Sequence, residues 1–287
     1  MDYKELCKKI EIYKKNYNVK VIGKSTFGKK IYAVEKIVNR SFSTAIFVSS
    51  IHARENISSD LLAKFLDDDL FSKINKFNLS FILMANPDGV ELSQNWLDSA
   101  PKKYRKFLKE INGSEDFSLW KANGRGVDLN NNFNANFGTN TSHFSPASSG
   151  FAGKRAESER ETKAIVRYIK KMKPFFCVAY HTKGEEIYFN FFQKGKDLER
   201  DSLIANNFAK STGYTIKNVE KVSSGGLKDY LVQTLKIPAI TVELGSDDLS
   251  HPIQKEHLND IFLRNKNIAN DLIKAYNIFN KFKQKSR

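Results

Sequence analysis

The stretch TAIFVSSIHARE (residues 44–55) decides the fold and gives the first indication of chemistry. Its first part, residues 44–50, is an apolar run without polar alternation. Such a run is typical of a strand buried on both faces, as in the sheets of α/β proteins. His52 and Glu55 follow this strand directly. We therefore expect both side chains to lie at the carboxyl end of a buried strand.

Two further apolar strands end in a residue of the same kind. The strand predicted at 175–180 is followed by His181, and the strand starting at 239 ends in Glu243. Ligands of open α/β sheets bind beyond the carboxyl ends of the strands. Two histidines and a carboxylate form a ligand set for catalytic zinc, and a further glutamate can move protons. A single histidine after a strand is more often a hydrogen-bonded structural residue, and Glu243 alone is equally compatible with an ion pair or a helix cap. The shared position of these residues therefore favours the metal site.

The remaining pattern predicts an α/β fold: a single domain over residues 1–287, with a mixed, largely parallel central sheet and helices on both faces. An N-terminal helix (1–18) and a C-terminal helix with a basic tail (251–287) belong to this domain. The predicted strands lie at 19–23, 31–34, 44–50, 79–85, 175–180, 187–192 and 239–244. The predicted helices lie at 2–15, 60–70, 104–111, 158–171, 198–211 and 226–235, followed by one long final helix. Residues 130–153 are expected to be an irregular loop.

Charge and composition narrow the cellular context. Lysine and arginine number 47 and aspartate and glutamate 32, so the net charge is 47 − 32 = +15. This charge is compatible with a lysine-rich surface that only contacts solvent. It is also compatible with a surface that binds an anionic cell-wall polymer or another polyanion. The two cysteines do not form a disulfide framework. The charged N-terminus lacks a secretory h-region and no run is long enough to span a membrane, so we expect a cytoplasmic protein.

The chain resembles the zinc carboxypeptidase family typified by carboxypeptidase A, over residues 20–279. The motifs follow one another in family order: HARE at 52–55, NPDGV at 86–90, GVDLN at 126–130, His181, SGG at 224–226 and TVEL at 241–244.

This resemblance implies one zinc ion per chain, held by His52, Glu55 and His181. It implies Glu243 as the general base and acid of amide hydrolysis. A cation should stabilise the oxyanion that forms on the scissile carbonyl. Lys121 and Arg125 are both candidates, and the sequence does not choose between them.

The departures from the family pattern concern the substrate. True carboxypeptidases have an Asn-Arg pair that binds the terminal α-carboxylate of the substrate. Here the pair is Asn130-Asn131, so the arginine is missing. The position of the family's mobile tyrosine holds Lys221. Trimming of ordinary C-termini is therefore less well supported by the sequence than amide hydrolysis itself.

The local sequence is similar to the bacterial branch that cleaves γ-D-glutamyl–diaminopimelate bonds in muropeptides. WKAN at 120–123 and SGGLKD at 224–229 match that branch. Lys228 occupies a position that lines the pocket for the residue after the cut. A lysine there would favour a carboxylate-bearing side chain such as that of diaminopimelate, although a solvated helix face explains Lys228 equally well.

The leading hypothesis is thus a zinc metallopeptidase that acts on a peptide or muropeptide. One alternative is a metallocarboxypeptidase acting on ordinary peptides. Another is a catalytically idle basic protein that binds an anionic cell-wall polymer. A nucleic-acid partner is not expected, because the sequence has no nucleic-acid-binding motif. His143, His251 and His257 are interpreted as surface or capping residues.

Overall fold

The computed structural model describes residues 1–139, 141–217 and 223–284. The strands are β1 (Asn18–Lys24), β2 (Lys30–Lys36), β3 (Thr44–Val48), β4 (Asn78–Ile82), β5 (Phe176–Thr182), β6 (Glu186–Tyr188), β7 (Thr215–Lys217) and β8 (Ala239–Leu244). The helices are α1 (Tyr3–Tyr13), α2 (Ile57–Asp67), α3 (Pro87–Asn95), α4 (Lys102–Asn112), α5 (Arg160–Met172), α6 (Gly195–Thr212), α7 (Leu227–Gln233), α8 (Leu258–Asn265) and α9 (Ile268–Gln284).

All these strands form one eight-stranded sheet in the order β1-β2-β4-β3-β5-β8-β6-β7. The central strands β4, β3, β5 and β8 run parallel to one another. Antiparallel pairs join β1 to β2, β2 to β4 and β6 to β8. The mixed sheet with a parallel centre confirms the fold class predicted from the sequence.

The central strands bury side chains on both faces, which is why their sequences are apolar without alternation. In β3, Phe47 packs into a core that also contains residues of α1, α2, α6, α8 and α9. Its neighbours Ile46 and Val48 face the opposite core, which contains residues of α5 and α7. Burying each large apolar side chain stabilises the fold by about 1.5–3 kcal/mol. The sheet is therefore a rigid platform for the residues at its carboxyl edge.

Several element predictions were wrong in ways that the contacts explain. No helix was predicted at 87–95, but α3 begins there: the Asn86 side chain accepts the Gly89 N–H and Pro87 occupies the first turn, and both features favour a helix start. The single long final helix is two helices: α8 packs on α2 and α6, and α9 packs on α6. Strand β7 has only three residues and was not predicted. Within the described residues, none of the helices is apolar and long enough to cross a membrane.

Candidate active site

The three predicted strand ends meet at one edge of the sheet. In the β5–β8 pair, His181 lies directly opposite Glu243. On the other side, β3 pairs with β5, and the loop between β3 and α2 contains His52 and Glu55. Four side chains from three distant segments of the chain therefore converge because parallel strands end at the same edge.

The loop that holds His52 and Glu55 is fixed from two sides. The Ser50 N–H donates to Ser58 Oγ at 3.0 Å, which ties the loop to α2. Asn86 Nδ2 donates to the carbonyls of Ile51 and Ala122, both at 3.1 Å. A Cβ on Gly89 would lie 2.3 Å from the Ala122 oxygen, so only glycine permits this approach. The NPDGV motif thus connects the metal-site loop to the segment around residue 122.

The side chains of His52, Glu55 and His181 form a buried cluster with three converging donors. Glu55 Oε1 lies 2.8 Å from His52 Nδ1, and Glu55 Oε2 lies 2.9 Å from His181 Nδ1. The two Nδ1 atoms are 3.0 Å apart. Among the described residues, this trio is the group of histidine, cysteine and acidic side chains that could hold a metal ion.

This cluster fits a zinc ion by its chemistry. Two imidazole nitrogens and a carboxylate are the donors of many catalytic zinc sites, which keep a fourth position open. Two Nδ1 atoms facing each other at 3.0 Å compete for one proton, whereas a shared cation satisfies both. All three side chains are buried, and a buried carboxylate needs a positive partner. The residues present therefore match the ion.

Asp128 is a site residue that the sequence interpretation missed. Its Oδ1 lies 3.4 Å from His52 Nε2, on the side of the ring away from Glu55. Burial opposes ionisation, but Lys121 and His52 hold the pKa of Asp128 well below its usual value. A carboxylate behind a metal-ligating histidine fixes the tautomer and the ring orientation. The sequence feature that could have identified Asp128 is its place in the GVDLN motif.

The structure separates the two oxyanion candidates. Lys121 is three-quarters buried, and its Nζ lies 3.4 Å from Asp128 Oδ2. Burial alone would lower the pKa of Lys121, but Asp128 and Glu55 raise it, so the side chain stays charged. Arg125 is more than half exposed, and its Nε lies 3.8 Å from Glu159 Oε2. Lys121 therefore lies beside the converging donors, whereas Arg125 points to a different carboxylate.

Glu243 has the environment of a proton-transfer group. Burial raises its pKa to about 8; the carboxylates of Glu55 and Glu186 add to this, while His181 and Lys121 oppose it. A carboxyl whose pKa lies near neutrality can both accept and donate a proton.

A cavity of about 240 Å³ opens beside Glu243 and contains three of the predicted substrate-binding residues. Asn130 Oδ1 accepts the Leu227 N–H at 3.0 Å, and the Asn131 backbone packs against Gly225, where a Cβ would lie 2.2 Å from the Asn131 oxygen. Lys228 is buried in the cavity wall, so it does not lie on a solvated helix face. Lys221, the fourth predicted residue, lies outside the described residues.

One sequence interpretation needs correction. His251 was interpreted as a surface or capping residue, but it is half-buried and its Nδ1 lies 3.3 Å from Thr182 Oγ1, next to His181. Burial and the charge of Arg54 lower the pKa of His251 to about 4, so the ring is neutral at physiological pH. Its contact with Thr182 is made across a long chain separation, which sequence alone does not reveal.

Comparison with known proteins agrees with this geometry. A family model described as zinc carboxypeptidase matches residues 3–263. The chain belongs to the zinc carboxypeptidase family. It is accordingly a zinc metallopeptidase, and the family uses one zinc ion, for which the trio of His52, Glu55 and His181 forms a potential site.

Similar proteins include a gamma-D-glutamyl-L-diamino acid endopeptidase, a thrombin-activatable fibrinolysis inhibitor and a murein-tripeptide amidase. The chain is 28% identical to gamma-D-glutamyl-L-diamino acid endopeptidase 1 of Lysinibacillus sphaericus, over 82% of this chain and 62% of that protein. It thus spans less than two thirds of that relative. The structure of bovine thrombin-activatable fibrinolysis inhibitor, solved with a tick carboxypeptidase inhibitor, matches with a TM-score of 0.79 at 20% identity and covers 98% of both chains. Murein-tripeptide amidase from Escherichia coli O157 matches with a TM-score of 0.55 at 18% identity, covering 92% of this chain and 91% of that one. These two structures support the fold.

Proposed function

We propose that the protein hydrolyses the γ-D-glutamyl–diaminopimelate bond of cell-wall muropeptides. The observation that carries the proposal is the cavity beside Glu243, which contains Lys228 and has Asn131 where carboxypeptidases have an arginine. Among the described residues that line this cavity, there is no arginine to bind the terminal α-carboxylate of an ordinary peptide. The similarity to an endopeptidase named for γ-D-glutamyl–diamino acid bonds supports the same substrate class.

In this proposal His52, Glu55 and His181 hold the zinc ion. When bound, zinc acts as a Lewis acid toward the scissile carbonyl and lowers the pKa of water. Asp128 accepts the Nε2 proton of His52 and so keeps Nδ1 available as the donor atom.

Glu243 moves the proton of the reaction. Its carboxylate accepts a proton from the attacking water and then delivers it to the nitrogen of the leaving amine, so one carboxyl serves both steps. Beside a bound zinc ion, Glu243 would be held in the ionised form that accepts the proton. The products are a glutamyl γ-carboxylate and a free diaminopimelate amine.

Lys121 and the cavity residues provide charge and orientation. The ammonium of Lys121 stays protonated beside Asp128 and stabilises the negative charge that develops on the scissile carbonyl oxygen. Asn130 and Asn131 offer amide groups to the main chain of the leaving residue, whose side chain enters the cavity toward Lys228.

The test is a comparison of two substrates with the zinc-loaded protein. One is L-Ala-γ-D-Glu-meso-diaminopimelate, and the other is an α-linked peptide of equal length with a free C-terminus. Mass spectrometry of the products should show rapid release of diaminopimelate and slow trimming of the α-peptide. Faster trimming of the α-peptide would identify an ordinary carboxypeptidase instead.

A further inference from the structure

The edge of the sheet opposite the active site carries a row of exposed cations. Because β3, β4, β5 and β8 are parallel, the segments that precede them meet at the amino edge of the sheet, away from Glu243. Antiparallel pairing brings the start of β1 and the end of β2 to the same edge. Helix α5 packs on β1 and ends just before β5, so its last turns also lie there. These elements and the loop before β3 expose Lys20, Arg40, Arg167 and Lys171.

The four cations line one elongated groove, which we call the basic groove. A cavity of about 730 Å³ is lined by the loop before β3 and the end of α5, and a second of about 250 Å³ is lined by β1 and α5. Lys20 and Lys171 line both cavities, so the two adjoin. Arg40 lines only the larger cavity and Arg167 only the smaller one. The positive charges are therefore distributed along the groove rather than gathered at one point.

The charge of the basic groove is largely uncompensated within the protein. Glu35 is the acidic residue among the described residues that line it, and this side chain is fully buried. Its carboxylate accepts from the Tyr168 hydroxyl at 2.7 Å and lies 2.8 Å from Lys20 Nζ, so it neutralises that lysine. In the part of the chain that the structure describes, the other three cations form no ion pair with a carboxylate. The groove thus presents a net charge of +3 to solvent.

We propose that the basic groove binds a linear phosphodiester polymer without bases, such as a poly(polyol phosphate). Cations spaced along a groove can neutralise successive phosphates of one chain and release their counterions. The exposed side chains of Ile37 and Phe42 offer apolar surface in the larger cavity to the carbon atoms between the phosphates. This inference goes beyond the proposed function and does not depend on it.

Two other anionic partners fit the groove less well. Single-stranded nucleic acids bind by stacking successive bases on aromatic rings. Among the described residues that line the groove, Phe42 is the exposed aromatic side chain, because Tyr168 is buried. A lipid bilayer is a flat surface, and its headgroups do not follow a long concave groove. A flexible single chain of phosphates requires neither stacking rings nor a flat face.

The position of the groove has a consequence for the enzyme. The groove lies at the amino edge of the sheet, whereas His181 and Glu243 lie at the carboxyl edge. A bound polymer therefore leaves the metal site open. The protein can be held on an anionic polymer while it hydrolyses a separate, small substrate.

The experiment measures binding of the full zinc-loaded chain to a fluorescently labelled poly(glycerol phosphate) oligomer by fluorescence anisotropy at several salt concentrations. The double variant Arg40→Gln/Lys171→Gln should bind roughly 25-fold more weakly at low salt, since each cation near an anionic surface contributes about fivefold. The slope of log affinity against log salt concentration should become shallower by about 1.4, for two phosphate contacts at about 0.7 each.

The matched control is Lys103→Gln/Lys106→Gln, which removes the same charge from exposed positions of α4. This helix packs in a separate core beside Trp120. The control should bind the oligomer like the unmodified protein. Equal weakening of both variants would show attraction by net charge alone and would overturn the inference, as would no binding of the oligomer by the unmodified protein at low salt. Zinc content and urea unfolding verify that both variants are folded.

Two further probes test the class of partner. Single-stranded DNA of the same charge should bind more weakly than the oligomer, and anionic lipid vesicles should not bind in a way that depends on Arg40 and Lys171. DNA that binds as tightly as the oligomer, or vesicle binding that the double variant abolishes, would overturn the assignment of the polymer. None of these measurements uses turnover, so failure of the proposed function would leave the inference standing.

Discussion

Replacing Asp128 by asparagine removes one negative charge from behind the metal site while nearly conserving the shape of the side chain. His52 turns Nδ1 toward Glu55 and His181, at 2.8 and 3.0 Å, so a metal ion bound at Nδ1 would leave the ring proton on Nε2. Asp128 Oδ1 is the acidic oxygen near that nitrogen, at 3.4 Å. Losing such a partner typically weakens metal binding 10- to 100-fold, which corresponds to about 1.4–2.8 kcal/mol.

The effect can be measured by competition for zinc with a chromophoric chelator. Because Lys121 and His52 hold the pKa of Asp128 well below its usual value despite burial, the carboxylate stays charged through pH 5–8. The loss of affinity in Asp128→Asn should therefore persist over this range, whereas Asp98→Asn should bind zinc like the unmodified protein. A zinc affinity of Asp128→Asn within twofold of normal, in a variant that is fully folded, would refute the role given to Asp128.

Three further predictions concern catalysis and stability. Glu243→Gln should keep one zinc per chain but lower kcat roughly 10²- to 10⁴-fold, and retained turnover would exclude Glu243 as the proton carrier. Lys121→Met should lower kcat/KM about 10²- to 10³-fold while Arg125→Met has little effect; the reverse order would show that Arg125 is the oxyanion partner. Burial and the Asp88 carboxylate raise the pKa of Glu161 from 4.5 to about 7, so the folded state holds this proton more tightly than the unfolded chain. The free energy of unfolding contributed by Glu161 is therefore highest below pH 4.5 and falls by roughly 3 kcal/mol as pH rises through 7. Urea unfolding of Glu161→Gln should lack this decline, and parallel pH profiles of the two proteins would contradict it.

The sequence predicts the sheet and its edge well because both depend on local patterns. The apolar runs that become β3, β5 and β8 are recognisable one by one, and the direction of parallel strands places His181 and Glu243 at the same edge. The positions of His52 and Glu55 can be predicted in the same way, because both residues lie in the loop that directly follows β3.

Other parts of the site depend on contacts between distant segments, and such contacts could not be predicted from the sequence. Asn86 and Gly89 contact the carbonyl of Ala122, next to Lys121, and Lys121 rather than Arg125 lies by the metal site. His251 reaches Thr182 across a loop, and no periodic pattern marks such a contact.

Lys228 shows that the sequence can place a charged residue in the cavity wall without revealing its contacts. The sequence suggested a cation in the cavity wall, and the structure places Lys228 there. Asp229 is its neighbour in sequence, but on an ideal helix adjacent residues point in different directions. Their charged ends nevertheless lie 2.5 Å apart, while Lys228 Nζ also donates to the Asn190 carbonyl, and only the structure reveals these contacts.

The central claim is that one zinc ion, held by His52, Glu55 and His181, supports peptide hydrolysis. Zinc should be removed from the protein with a chelator and returned in steps while turnover of L-Ala-γ-D-Glu-meso-diaminopimelate is recorded. Turnover should rise in proportion to added zinc, stop rising at one equivalent per chain, and stay absent at that zinc concentration in His181→Ala. Turnover that does not depend on zinc, or that survives in His181→Ala at one equivalent, would contradict it.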